Sequence, residues 1–188
     1  MTAIAAVARD GTVFMGGDSA AIADSHYLTL AGTPKVFEVG PLVMGYTSSF
    51  RMGHALQHRL QVPDGLPSAH ELEALDRWMA VTFADAVRQL MRDCGYMKVE
   101  NSREAGGQFL VGVRGQLYFM DDDFHALRQS TAYAACGSGV SACLGAFYVM
   151  DRLNTVPPRH MVQHALEAAV ACIATVRGPF HVIEGGRA

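Results

Sequence analysis

The hydrophobic period of this chain changes in blocks rather than in alternation. Residues 2–46 read as strands and tight turns. Thr2–Ala8 and Thr12–Gly17 flank the turn Arg9-Asp10-Gly11, and a shorter pair, His26–Leu30 and Lys35–Val39, flanks Gly32-Thr33-Pro34. Gly40-Pro41 then turns into Leu42–Tyr46. A helical period follows over Ser49–Leu60. It resumes after Pro63-Asp64-Gly65, where Ser68 and Glu71 have capping-box spacing. Leu72, Leu75, Met79, Thr82/Phe83, Ala86 and Leu90 then fall on one face, and Gly95 is the stop. Strands return at Gln108–Val113, Gln116–Met120 and Ala132–Cys136, with a polar loop opening at Asp121–Asp123. Gly137-Ser138-Gly139 leads into a helix to about Leu153, Pro157-Pro158 opens another, and Phe180–Ile183 is a last strand. Strands in hairpins and helices in pairs argue against a doubly wound βαβ sheet. The expected class is α+β, a four-layer αββα sandwich with two antiparallel sheets between helix pairs.

Length and charge narrow the function classes. The 188 residues suit one domain, 1–188, with a core large enough to need no disulfide or metal. Fifteen Lys+Arg against eighteen Asp+Glu give −3, which offers no electrostatic footprint for nucleic acid or an anionic membrane. No apolar run reaches the length of a membrane span. The N-terminus lacks the basic region of a signal peptide. Cys94, Cys136, Cys143 and Cys172 form no C-x-x-C and are expected to be reduced, in a cytoplasmic protein.

Several motifs point away from cofactors. Gly137-Ser138-Gly139-Val140-Ser141-Ala142 has the spacing of a dinucleotide loop, but no second parallel strand with an acidic residue follows. His54/His58 and His160/His164 are H-x-x-x-H pairs without the glutamate of a zinc protease motif, and read as solvated or capping histidines. Asp121–Asp123 lacks the glycine and glutamate of a calcium loop. No cofactor and no metal ligand set is expected.

Thr2 is the residue that carries chemistry. Methionine before a small residue is normally removed, which leaves an N-terminal threonine. Such a residue holds a hydroxyl nucleophile and an amine base together, and the amine titrates near ~7.7–8. The first hairpin returns Asp18 to the neighbourhood of Thr2. Lys35, flanked by Val36 and Phe37, needs an acidic partner, and Asp18 is available. Gly45, in an otherwise apolar strand, marks a place where a backbone N–H can approach a ligand and serve as an oxyanion donor.

With these residues in hand, the chain resembles the N-terminal-nucleophile (Ntn) hydrolases of the proteasome β type, and within them the HslV peptidase subunits. The matching stretches are Thr2-Ala3-Ile4-Ala5-Ala6-Val7, Gly16-Gly17-Asp18-Ser19, Gly32 to Lys35-Val36, Val43-Met44-Gly45-Tyr46, Ala135-Cys136-Gly137-Ser138-Gly139, and Ala165-Leu166-Glu167 through Cys172-Ile173-Ala174-Thr175. The likeness is weak from about Pro63 to Thr131. It implies roles: Thr2 as nucleophile with its own amine as base, Lys35 tuning it, Asp18 orienting Lys35, Gly45 N–H as oxyanion donor, and Ser138 positioning the amine. It implies a threonine endopeptidase that degrades unfolded polypeptide inside a homo-oligomeric ring, with an AAA+ unfoldase ATPase as possible partner. A monovalent cation such as sodium at backbone carbonyls near Ala169, Cys172 and Thr175 is also implied. Pocket positions by resemblance are Ala21, Thr33, Phe37, Val43 and Thr47, which are small or apolar and suit an apolar residue before the cut. Where the family has an aspartate before Cys172, this chain has Val170 or Ala171. Two alternatives stand beside this reading: an inactive ring subunit, which that departure supports, and an Ntn amidase acting on small amides.

Overall fold

The computed structural model describes residues 2–23, 26–29, 32–100 and 103–188. Strands β1 (Ala3–Arg9) and β2 (Thr12–Gly17) form the expected hairpin, with Asp10 and Gly11 at positive φ in the turn. They pair with β12 (Tyr133–Gly137) and β13 (His181–Gly185) in the order β12-β1-β2-β13. A second sheet has the order β11-β10-β9-β6-β5, built from β5 (Val36–Val39), β6 (Leu42–Tyr46), β9 (Phe109–Val113), β10 (Gln116–Met120) and β11 (Ala126–Arg128). Every pairing in both sheets is antiparallel.

Helices cover the outer faces. α4 (Val140–Leu153) and α5 (Pro158–Cys172) pack on the first sheet, where Phe147, Val162 and Leu166 meet Ala3, Ala5 and Val7. On the second sheet lie α1 (Phe50–Arg59) and a rod made of α2 (Leu72–Arg77), a π-wound segment Trp78–Phe83, and α3 (Ala84–Asp93). Between the sheets sit Ile4, Ala6, Met15, Val36, Val43 and Leu110. Successive residues of β1 point to opposite faces, so Ala3, Ala5 and Val7 meet helices while Ile4 and Ala6 meet the other sheet. That is why β1 is apolar without alternation. The molecule is the four-layer αββα sandwich. None of its helices is long and apolar enough to cross a membrane, among the described residues.

Local departures from the sequence expectation have physical causes. His26–Leu30 does not pair with Lys35–Val39. β4 (His26–Thr29) pairs with β3 (Ala20–Ala23), and β5 with β6, because β3 is a nearer partner; Leu30 lies outside the described residues. β7 (Lys98–Glu100) and β8 (Arg103–Ala105) form a further short pair. Ser68 does not cap the helix. Its N–H and hydroxyl both donate to the Glu71 carboxylate, and the helix starts one turn later at Leu72. The buried face of the rod runs Leu75, Trp78, Met79, Phe83, Val87 and Met91 rather than ending on Ala86 and Leu90. The π turn holds one extra residue, which moves every later position by one.

Candidate active site

The register of β1 assembles the site. Ile4 lies opposite Gly17 and Ala3 opposite Gly137, so the residues just beyond each strand end, Asp18 and Ser138, flank the start of β1. Thr2 has the parity of Ile4 and Ala6, which directs its side chain to the mouth between the sheets. It is 6% exposed. The Ser138 hydroxyl donates to the Thr2 carbonyl at 3.2 Å. Gly137 sits at φ +90°, and a Cβ there would collide with the Thr2 carbonyl oxygen. Only glycine allows this approach of two backbones.

Asp18 and Lys35 form a fully buried ion pair at 2.7 Å. The Asp18 carboxylate is saturated with donors. Oδ1 accepts Ala3 N–H at 3.1 Å and Lys35 Nζ; Oδ2 accepts Ala20 N–H at 3.1 Å and Arg177 N–H at 3.4 Å. Lys35 Nζ also donates to the Ala20 carbonyl at 2.6 Å. Burial holds Lys35 below the ordinary lysine range, and the Asp18 charge and hydrogen bond oppose that shift without cancelling it. An ion pair this deep needs its remaining hydrogen-bonding capacity met, and here the backbone of β3 and of the loop after α5 meets it.

A cleft of about 330 Å³ opens at Thr2, lined also by Ile22, Tyr46, Thr47, Ser48, Ser49, Phe50 and Arg51. Gly45 is not among these residues. Tyr46 N–H bonds the Lys35 carbonyl, so the neighbouring Gly45 N–H turns the other way, to Leu110 on β9. The oxyanion role expected of Gly45 is thus not available: its amide is spent in the ladder. Its missing Cβ makes room for Ile4 and Met15 between the sheets instead. In the turn that follows, Thr47 N–H bonds the Gln108 carbonyl and Ser49 N–H the Thr47 carbonyl. Ser48, at φ +65°, keeps its N–H free of a backbone partner among the described residues. Ser49 then caps α1, its side chain accepting the Arg51 N–H. A free amide beside the positive end of a helix suits a developing oxyanion. The sequence signal for Ser48 was the abrupt step from strand to capped helix across Thr47-Ser48-Ser49.

The other expectations divide. Of the pocket positions, Thr47 lines the cleft, while Phe37 and Val43 pack in the two cores. Val170 packs against the cluster under α4 and α5, so no carboxylate reaches the start of β1 from that helix. Around Ala169, Cys172 and Thr175, where the resemblance implies a monovalent cation, the backbone carbonyls have these partners. The Ala169 carbonyl accepts Ile173 N–H, and the Ile173 and Val176 carbonyls accept the Arg177 guanidinium. Arg177, whose amide also reaches Asp18, carries no sequence signal, because nothing in the sequence tells where the loop after α5 returns. No group of three or more metal-ligating side chains occurs among the described residues. Burial pushes the Cys136 and Cys143 thiols up, the latter to about 12, so neither is a nucleophile near neutral pH.

No protein-family model matches the chain, and no curated protein matches it significantly. Solved structures do. A BPH from Thiobacillus denitrificans, in complex with epoxomicin, superposes over the whole of both chains with a TM-score of 0.77 at 17% identity. The eukaryotic HslV of Trypanosoma brucei covers 97% of this chain and 98% of its own, with a TM-score of 0.70 at 14% identity. Anbu, an ancestral beta-subunit from Yersinia bercovieri, matches 98% of this chain and 81% of its own, with a TM-score of 0.63 at 15% identity. The fold is the proteasome-like Ntn fold.

Proposed function

We propose that this chain, with its proteasome-like Ntn fold, is a threonine endopeptidase whose nucleophile is Thr2. The observation that carries the reading is the convergence on one residue: Thr2 at the cleft floor, the Asp18–Lys35 pair beside it, and Ser138 on its carbonyl. Removal of Met1 exposes the amine. In its neutral form that amine takes the proton as Thr2 Oγ attacks the substrate carbonyl. The Ser48 N–H receives the oxyanion. Lys35, with one ammonium proton beyond those given to Asp18 and Ala20, supplies positive charge to the threonine. Collapse breaks the C–N bond, and the protonated amine hands its proton to the leaving peptide amine. Water, deprotonated by the same amine, then cleaves the Thr2 ester and restores the hydroxyl. Ile22, Tyr46 and Phe50 give the cleft one apolar wall, which supports an apolar residue before the cut. Assembly into a homo-oligomeric ring, an AAA+ partner and a cytoplasmic site belong to the same proposal. One observation favours an inactive subunit instead: the place of the family's helix aspartate is apolar Val170.

Intact mass before and after exposure to a peptide epoxyketone separates the two. The warhead needs both the hydroxyl and the free amine of an N-terminal threonine. The expected result is loss of one methionine and a single adduct, absent in Thr2→Ala. A chain that keeps Met1 and takes no adduct is the inactive subunit. The T. denitrificans relative was seen with epoxomicin, which makes that compound the first to try.

A further inference from the structure

Among the described residues lining the cleft at Thr2, Arg51 is the one charged side chain. Arg51 also lines a second cleft of about 490 Å³ with His54, Ala55, His58, Arg59 and Cys94. The two clefts therefore meet at this side chain. Residues 51, 54/55 and 58/59 recur at helical spacing, so the second cleft runs along one face of α1. The buried face, with Met52 and Leu56, is turned to the core. No residue lining either cleft is acidic, among the described residues.

Helix stability does not account for this charge. His58 and Arg59 in the last turn complement the helix dipole, but Arg51 stands in the first turn, where a cation is unfavourable and where no acidic residue compensates it. The cleft keeps its Arg51 guanidinium oriented by a hydrogen bond to the Cys94 carbonyl, which leaves the remaining N–H groups for a ligand. From Arg51 to His58 is seven residues of helix, or about 10 Å. An extended peptide covers that span in about three residues. A chain held with one side chain in the Thr2 cleft thus lays its next few residues along this face.

We propose that the site selects substrates carrying Asp or Glu within about three residues of the bond cut at Thr2, on the α1 side, with the carboxylate held by Arg59 at the far end of the α1 cleft and Arg51 adding positive charge along its approach. This rests on the peptidase reading above for its account of turnover, though not for binding. The test therefore uses binding first. Fluorescent peptides with an apolar residue for the Thr2 cleft, and either Glu or Gln at each of the three flanking positions on both sides, are titrated against the full chain carrying Thr2→Ala. One Glu peptide is expected to bind about tenfold tighter than its Gln partner, as one bidentate guanidinium contact allows. The preference is expected to vanish at about 1 M salt. It is also expected to shrink in Arg59→Ala, an exposed residue at the far end of the cleft, whatever becomes of Arg51→Ala. Equal affinity of all Glu and Gln pairs, or an absence of any peptide binding, overturns the inference. Tight, charge-selective binding with no cleavage by the unsubstituted chain overturns the peptidase reading and leaves the inference standing.

Discussion

Lys35 is 1% exposed and holds its charge through Asp18 and the Ala20 carbonyl. Its folded pKa is depressed by burial, whereas the unfolded chain titrates it at about 10.4. Between those two values the unfolded state binds the extra proton, so stability rises with pH through that window and the cost of burying the ammonium is fully felt below it. Urea midpoints between neutral pH and the lysine range are expected to climb more in the unsubstituted chain than in Lys35→Met. Parallel curves for the two would show that Lys35 titrates normally. Lys35→Met is also expected to cost about 3–5 kcal/mol at neutral pH, since it leaves Asp18 buried without a cation. Adding Asp18→Asn should return part of that loss. Ser48 is the counterpart on the backbone: a non-glycine residue in the left-handed region, strained by about 1 kcal/mol, at the one turn amide left for the substrate.

At the scale of elements, the rod over residues 72–93 shows what a π turn does. Trp78 and Phe83 stack across it at 5.7 Å, and Val81 is pushed out to 55% exposure. Removing one residue there should turn the π segment into ordinary α-helix while keeping both halves of the rod on their present faces. Deletion of Val81 is therefore expected to leave a cooperative melt within a few degrees of the original. Deletion of Gln89, in regular helix, rotates all that follows by about 100° and should lose the cooperative transition. A chain that tolerates both deletions equally, by thermal circular dichroism, would mean that the rod contributes little to folding. The capping box at Ser68 and Glu71 was legible as a pair but misplaced as a cap. Its carboxylate organises the loop before the helix rather than the first turn.

In the whole molecule, the two sheets approach closely because glycines face the gap. A Cβ on Gly45 would stand 2.6 Å from Ile4 Cγ2 and 2.8 Å from Met15 Sδ, and one on Gly112 would stand 2.6 Å from Val13 Cγ1. Gly45→Ala is expected to cost about 1–3 kcal/mol by overpacking. If Gly45 only spaces the sheets, the adduct rate of the folded fraction with an epoxyketone should stay within about twofold, because the donor is elsewhere. A rate lost by a hundredfold, without loss of stability, would return the oxyanion role to Gly45. The sequence by itself determined the order of strands and helices and the hairpin that brings Asp18 back, because hydrophobic period and turn chemistry act over a few residues. Thr2 and Lys35 were candidates by residue chemistry and Ser138 by the family resemblance, and it is the structure that brings Asp18 against Lys35 and Ser138 against Thr2. The sequence could not determine which way the Gly45 amide points, since that depends on which edge of β6 meets β9. Nor could it show that Val43 faces the other sheet, or that Arg177 returns to Asp18 across 159 residues. Those features are products of strand pairing and packing between distant segments, and only the tertiary structure decides them.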